Sequence, residues 1–346
     1  MKRNDLARVA CQAAFLAIGL SISLGTQSVT ADDSPKPDNS KPGDTTTSIA
    51  VVHQPNLTYR IVNGKPLMLD LVRPQSGAGP FPTVILLHGS GPANKGKEGM
   101  ASLAEEFARK GYVAVAVSYR CKPEDVFPAA IEDVRHALDW VRAHANQNKI
   151  DKDRIGVVGF SGGGALACLL GMKGGSVVDK KKAPENSGRV QAVVSFYGPT
   201  DFARLHEGCQ AKIKAKGCDY LEQLQSLLII QALEKWLGGP PSKVPEHYDQ
   251  VNPMSKDCQE CPPVFLIHGS EDSVVPVEQS RLFAKKLQES GRPVSLWVVE
   301  GAGHDFEEKN KSVGRMAFAA MLAFLDEHLQ SASNGTPLVK KASGDR

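Results

Sequence analysis

Apolar and polar positions divide the chain into a long patterned centre and two flanks. From Val52 to Gln330, short runs of Val, Ile, Leu and Ala alternate with longer stretches in which apolar residues recur every three or four positions. The short runs predict strands at Val84–His88, Tyr112–Ser118, Ile155–Gly159, Val190–Tyr197, Val264–His268 and Val294–Glu300. The periodic stretches predict helices over Gly99–Lys110, Ala129–Asn146, Gly162–Gly171, Val277–Ser290 and Val313–Leu329. The strand runs are continuously apolar, the pattern of strands covered on both faces. Ahead of them, "LTYRIVNGKPLMLDLVRP" reads as a hairpin turning at Asn63-Gly64, since Asn and Gly tolerate the positive φ angles of a two-residue turn. Strand–helix units after an antiparallel start predict a doubly wound α/β fold with a mostly parallel central sheet. Ligands in such sheets sit beyond the carboxyl ends of the strands.

The flanks lack this pattern. "MKRNDLARVA" is basic, "AAFLAIGLSISLG" is a short apolar run, and "SVTADD" sets small residues at Val29 and Ala31. Residues 1–31 therefore read as a signal peptide cut after Ala31, the alternative being a retained anchor. Residues 32–51, with "SPKPDNSKPGDTTTS", read as a flexible linker, and residues 331–346 as a disordered tail. The folded part is expected over 52–330. Between about 201 and 262 the alternation breaks into an insert holding "CQAKIKAKGC", an apolar helix candidate "YLEQLQSLLIIQALEKWLG", and "CQEC". Such an insert either caps a site or elaborates the surface.

Composition adds limits. Apolar residues make up 41% and charged residues 23%, as in ordinary globular proteins. The net charge of +3 falls to about +1 once Lys2, Arg3, Arg8 and Asp5 are removed with the leader, so no basic surplus remains for nucleic acid or anionic lipid. No run after the leader is long and apolar enough for a membrane span. Export, periplasmic or extracellular, would leave Cys121, Cys168, Cys209, Cys218, Cys258 and Cys261 in an oxidising compartment, where they have fifteen possible pairings. Cys209 and Cys218 could close a small loop, and Cys258 could pair with Cys261. Structural zinc on these four is the rival use, although only Cys258-x-x-Cys261 has ligand spacing.

Chemistry concentrates at strand ends. In "IGVVGFSGGGALACLLG" a strand runs into Gly159-Phe160-Ser161-Gly162-Gly163 and a helix follows at once. This is the arrangement of a nucleophile elbow: the serine sits exposed in a tight turn, and Gly159 and Gly163 leave room for strand and helix to meet. A phosphate loop would need a Lys-Ser/Thr pair after the glycines, and none is present. A serine needs a base, and the base an orienting acid. After Ser161, "HGSEDSVVP" offers Asp272 past one strand and "VVEGAGHDF" offers His304 past the next. Glu271 and Asp305 are the rival acids, less suited because of their neighbours. His53, His136, His144, His206 and His247 lie outside strand-end loops and read as surface or satisfied core histidines.

The phrase His-Gly-Ser occurs twice, at His88-Gly89-Ser90 and His268-Gly269-Ser270. The first follows an early strand, where Ser90 or Gly91 can supply one oxyanion N–H and Gly162 the other. His88 is expected to brace this loop beside Gly89. The second phrase is expected to turn the chain so that Asp272 faces His304. No metal or organic cofactor is required.

Together these residues resemble the α/β-hydrolase superfamily over nearly all of the folded part, and are most similar to the acetylxylan and feruloyl-type carboxylesterases and the hormone-sensitive-lipase-like esterases. Tyr119-Arg120, Pro123-Glu124, Phe127-Pro128-Ala129-Ala130, Asp133, "SFYGPTDF" and "GSEDSVVPVEQS" carry the likeness. The resemblance places the triad on Ser161, Asp272 and His304. It implies an exported serine esterase for short acyl esters, such as acetyl groups on small molecules or on a polysaccharide like xylan. His-Gly-Ser-Gly replaces the group's His-Gly-Gly-Gly, and Gly-Phe-Ser-Gly-Gly-Gly its Gly-x-Ser-Ala-Gly-Gly. A dienelactone-hydrolase-like enzyme and a prolyl-oligopeptidase-type peptidase share the broad pattern. A catalytically silent binding protein with a zinc- or disulfide-stabilised insert is the reading from another class.

Overall fold

The computed structural model describes residues 49–90, 96–121, 125–172, 189–217, 219–255 and 261–330. The expected signal peptide, most of the linker and the tail lie outside them, as do Gly91, Pro123, Glu124, Cys218 and Cys258. With Cys218 and Cys258 go the pairings weighed for the insert.

Strands β1 (Val51–Val62) and β2 (Lys65–Pro74) form the expected hairpin. Asn63 and Gly64 take φ of 50° and 76°, the conformation the two-residue turn demands. β1 starts at Val51, so its first residue falls inside the expected linker. Six strands follow: β3 (Phe81–Leu87), β4 (Val113–Val117), β5 (Ile150–Phe160), β6 (Ala192–Phe196), β7 (Val264–Gly269) and β8 (Val294–Val299). The sheet order is β1-β2-β4-β3-β5-β6-β7-β8, antiparallel through β2–β4 and parallel from there on. This is the predicted doubly wound α/β sheet.

Both faces are covered, and the strands show it residue by residue. Ile85 and Leu87 of β3, with Val113, Val115 and Val117 of β4, belong to one apolar cluster. Val84 and Leu86, with Ala114, belong to the other. The first cluster is closed by α2 (Ala129–Ala143), α3 (Gly162–Met172), the insert, and α7 (Glu278–Glu289). The second is closed by α1 (Ala101–Arg109) and α9 (Lys311–Leu329). α9 buries Ala317, Met321, Leu325 and Leu329, a stripe of one residue every four. Fully burying each Leu contributes about 2 kcal/mol.

The insert is helical: α4 (Phe202–Lys214), α5 (Tyr220–Leu237) and α6 (Pro245–Val251). Only α5 was predicted. From Cys209 the chain continues as helix as far as Lys214, because Asp201 accepts from Arg204 N–H and caps α4, and Phe202, Leu205 and Cys209 pack inward. Among the described hydrogen bonds the insert reaches a site loop through Gln225, whose Nε2 donates to Ser273 Oγ at 3.4 Å. Its Ile230, Leu233 and Leu237 otherwise extend the core beside α3.

In register, Leu87 lies opposite Gly159, Phe160 opposite Phe196, Phe196 opposite Ile267, and Gly269 opposite Val299. The carboxyl ends of β3, β5, β6, β7 and β8 therefore share one edge.

Candidate active site

Ser161 stands alone between β5 and α3 with φ of 51°. Left-handed backbone costs a side-chain-bearing residue about 1–2 kcal/mol. Surrounding bonds hold it there. Ser161 N–H donates to Phe196 O at 2.9 Å, and Ser161 O accepts from Gly164 N–H at 2.8 Å and Ala165 N–H at 3.2 Å. The turn closes because its neighbours lack side chains. A Cβ on Gly159 would lie 2.0 Å from Gly163 O, and one on Gly163 would lie 2.3 Å from His88 O.

His304 lies in the loop after β8. Its Nδ1 donates to Asp272 Oδ2 at 2.6 Å, and its Nε2 accepts from Ser161 Oγ at 3.1 Å. The three residues, drawn from the ends of three strands, form one hydrogen-bonded line. Asp272 Oδ1 accepts from the N–H groups of Val274 at 2.9 Å and Val275 at 2.8 Å. Burial works against the Asp272 charge, but hydrogen bonds from His268, His304 and the Val275 N–H overcome it and hold the carboxyl at about 2.

The rival acids are placed elsewhere. Glu271 is exposed, with its backbone N–H on Ala302 O at 2.9 Å. Asp305 Oδ1 lies 3.9 Å from His304 Nε2, the nitrogen that faces serine.

His88 is buried, and its Nδ1 donates to Gly89 O at 2.7 Å. Its ring stacks on Tyr119 with centroids 4.2 Å apart, and the Tyr119 hydroxyl donates to the His88 carbonyl. Burial lowers the His88 pKa, although its bond to Gly89 opposes this. Gly89 faces the elbow: a Cβ there would sit 3.5 Å from the Ser161 Cβ. Ser90 lies against the first residue of α3, since a Cβ on Gly162 would meet Ser90 Oγ at 2.4 Å and Ser90 N at 3.5 Å. Gly162 and Ser90 are thus adjacent, at the N-terminus of a helix, where developing negative charge is favoured.

Three of the histidines set aside in the sequence have partners of their own. His144 meets Trp140 O, His206 meets Glu234, and His247 meets Leu237 O. Among the described residues no group of three or more His, Cys, Asp or Glu is placed to hold a metal ion. No helix among them is long and apolar enough to cross a membrane.

Three site residues escaped the sequence reading. His268 does more than turn the chain: its Nε2 donates to Val275 O at 2.8 Å and lies 3.3 Å from Asp272 Oδ2, while its Nδ1 accepts from Ser280 Oγ at 2.7 Å. The four-residue spacing to Asp272 is the signal that was there to be found. Tyr197 and Glu307 approach His304 from behind. Tyr197 packs its ring against the imidazole at 4.4 Å between centroids.

The BD-FAE family profile matches residues 69–287. A probable carboxylic ester hydrolase of Mycobacterium tuberculosis, LipM, is 30% identical over 251 residues, which are 72% of this chain and 55% of that protein. The chain spans about half the length of this curated relative. A truncated carbohydrate esterase from gut microbiota superposes with a TM-score of 0.64 at 24% identity, covering 83% of this chain and 99% of that one. An acetyl ester-xyloside bifunctional hydrolase of Caldicellulosiruptor lactoaceticus superposes with a TM-score of 0.62 at 25% identity, covering 79% and 91%. With more than half of its length matched by the profile and this fold beneath it, the chain belongs to the BD-FAE family of α/β-hydrolases.

Proposed function

We propose that this protein is an exported serine hydrolase of carboxylic esters, acting on short acyl groups such as acetyl, on small molecules or on a polysaccharide such as xylan. One observation carries the reading: the unbroken line from Asp272 through His304 to Ser161. Ser161 Oγ attacks the ester carbonyl while His304 Nε2 takes its proton, then returns it to the leaving alcohol. Asp272 holds the reactive tautomer and balances the imidazolium. Water, activated by the same imidazole, releases the acyl group from Ser161. The N–H of Gly162, with that of Ser90 or Gly91, stabilises the oxyanion, and losing one such donor costs about a hundredfold in turnover. His88, braced by Tyr119, keeps that loop in place. The names of the mycobacterial and Caldicellulosiruptor proteins support ester chemistry and an acetyl preference. The leader-like residues 1–31 support export.

The test is hydrolysis of p-nitrophenyl esters of increasing acyl length, with Ser161→Ala alongside. The reading expects activity that is highest on acetyl and at least a thousandfold lower in the variant. Activity untouched by the substitution would remove Ser161 from the chemistry.

A further inference from the structure

Behind His304 lies a pair of side chains that the triad does not use. Tyr197 follows β6 with φ of 40° and is fully buried. Its ring lies between His304 and Phe306, with centroids 4.4 Å and 5.8 Å away. Its hydroxyl donates to Glu307 Oε1. Glu307 belongs to the one-turn helix α8 (Phe306–Lys309), three residues beyond His304. Its other oxygen, Oε2, is buried with no hydrogen-bond partner. The Glu307 backbone is fixed from outside by α9, where a Cβ on Gly314 would meet Glu307 O at 2.5 Å. Besides its backbone bonds to the loop after β7, the His304 loop is tied by side chains to Asp272 through the imidazole and to Tyr197 through Glu307. An unpartnered buried carboxyl oxygen is costly. A buried carboxylate this close to the loop of a general base also alters that base when it ionises.

We propose that Glu307, acting through Tyr197, is a positioning residue for His304 and makes turnover depend on its own charge state. The inference rests on His304 being the base. Burial pushes the Glu307 carboxyl up to about 7, partly offset by the bond from Tyr197, and the charges of Asp305 and Glu308 push it further up. Tyr197 itself stays protonated, because burial and Glu307 hold its pKa far above the ordinary value. These are the titratable groups acting on Glu307: Tyr197 from the end of β6, and Asp305 and Glu308 from its own segment. α9 meets it at Gly314, which carries no side chain. Near neutral pH the carboxyl therefore changes charge. The ionised form accepts more strongly from the Tyr197 hydroxyl and so holds in place the ring against which the imidazole packs.

The experiment is kcat/KM and kcat for p-nitrophenyl acetate across about pH 5 to 9, paired with NMR titration of the His304 imidazole. Wild type is compared with Glu307→Gln and Tyr197→Phe, and with Ser161→Ala as the reference for the triad. Gln still accepts from Tyr197 but cannot ionise. The kcat and kcat/KM profiles should change shape near pH 7 in Glu307→Gln, with kcat about twofold lower above neutral pH. Tyr197→Phe should change them the same way and lower kcat with KM little changed. Glu307→Gln curves that superimpose on wild type, while Ser161→Ala is inactive, overturn this inference and leave the triad standing. An active Ser161→Ala overturns both.

Discussion

Asp272 keeps its charge in a buried place because donors meet both of its oxygens, and one of those donors is a histidine that takes no part in proton transfer. His268 is wholly buried and shares its Nε2–H between Val275 O and Asp272 Oδ2. Replacing it by Phe fills the space but removes that donor. His268→Phe should lower stability by about 2 kcal/mol and kcat/KM by roughly tenfold or more. Denaturant titration and steady-state kinetics on one preparation check both. At this scale Ser161, Asp272 and His304 were legible, because strand-end position and chain order leave few other choices. His268, Tyr197 and Glu307 were not. His268 left an unread signal in its four-residue spacing from Asp272, but the roles of Tyr197 and Glu307 depend on side-chain direction, which no residue spacing records for a loop.

At the scale of elements, the elbow separates two reasons for glycine. Gly159 has ordinary backbone angles but no space, since a Cβ would meet Gly163 O at 2.0 Å. Gly111 has φ of 90° and open space around it. Gly159→Ala should cost about 4 kcal/mol or more, a melting temperature lower by roughly 10 °C, with loss of ester hydrolysis. Gly111→Ala should cost about 1 kcal/mol and leave kcat unchanged. Thermal melts of the two variants side by side decide this. Element boundaries followed the same division between local and distant causes. The predicted first helix splits at Met100 into a 3₁₀ turn, Gly96–Met100, and α1, while Lys97 of the turn is drawn inward to Asp70 and Asn56 on the hairpin. That long-range ion pair leaves no local mark. The last helix starts at Lys311, two residues before the predicted Val313, because Asn310 accepts from Ser312 and Val313 N–H groups. Asn310 is a capping residue, so that signal was in the sequence.

For the whole molecule, two buried carboxyls pull stability in opposite directions with pH. Asp272 is held at about 2, below its usual 3.8, so its contribution is present above pH 3.8 and is lost as pH falls through 2. That is roughly 2 kcal/mol. Glu307 is raised to about 7 from its usual 4.5, so its contribution is complete below pH 4.5 and is lost as pH rises through 7. That is on the order of 3 kcal/mol. Wild type should therefore lose stability between about pH 4.5 and 7, and Glu307→Gln should lose much less over that range. Chemical denaturation at a series of pH values tests this, and equal slopes for the two proteins would refute it.

The sequence by itself determined the α/β class, the hairpin and the parallel strands, and named Ser161, Asp272 and His304 as candidates with Glu271 and Asp305 as rival acids. Short continuous apolar runs between turn residues fit strands covered on both faces, and a Gly-x-Ser-x-Gly turn between strand and helix tolerates little else. The tertiary structure alone decided which acid meets His304, how the insert folds, and what stands behind the imidazole. Strand register brings the ends of β5, β7 and β8 to one edge. Packing of α8 and α9 then sends Glu307 back to Tyr197. These are contacts between residues as far as 143 apart in the chain, and their geometry is set by the whole sheet rather than by any local run.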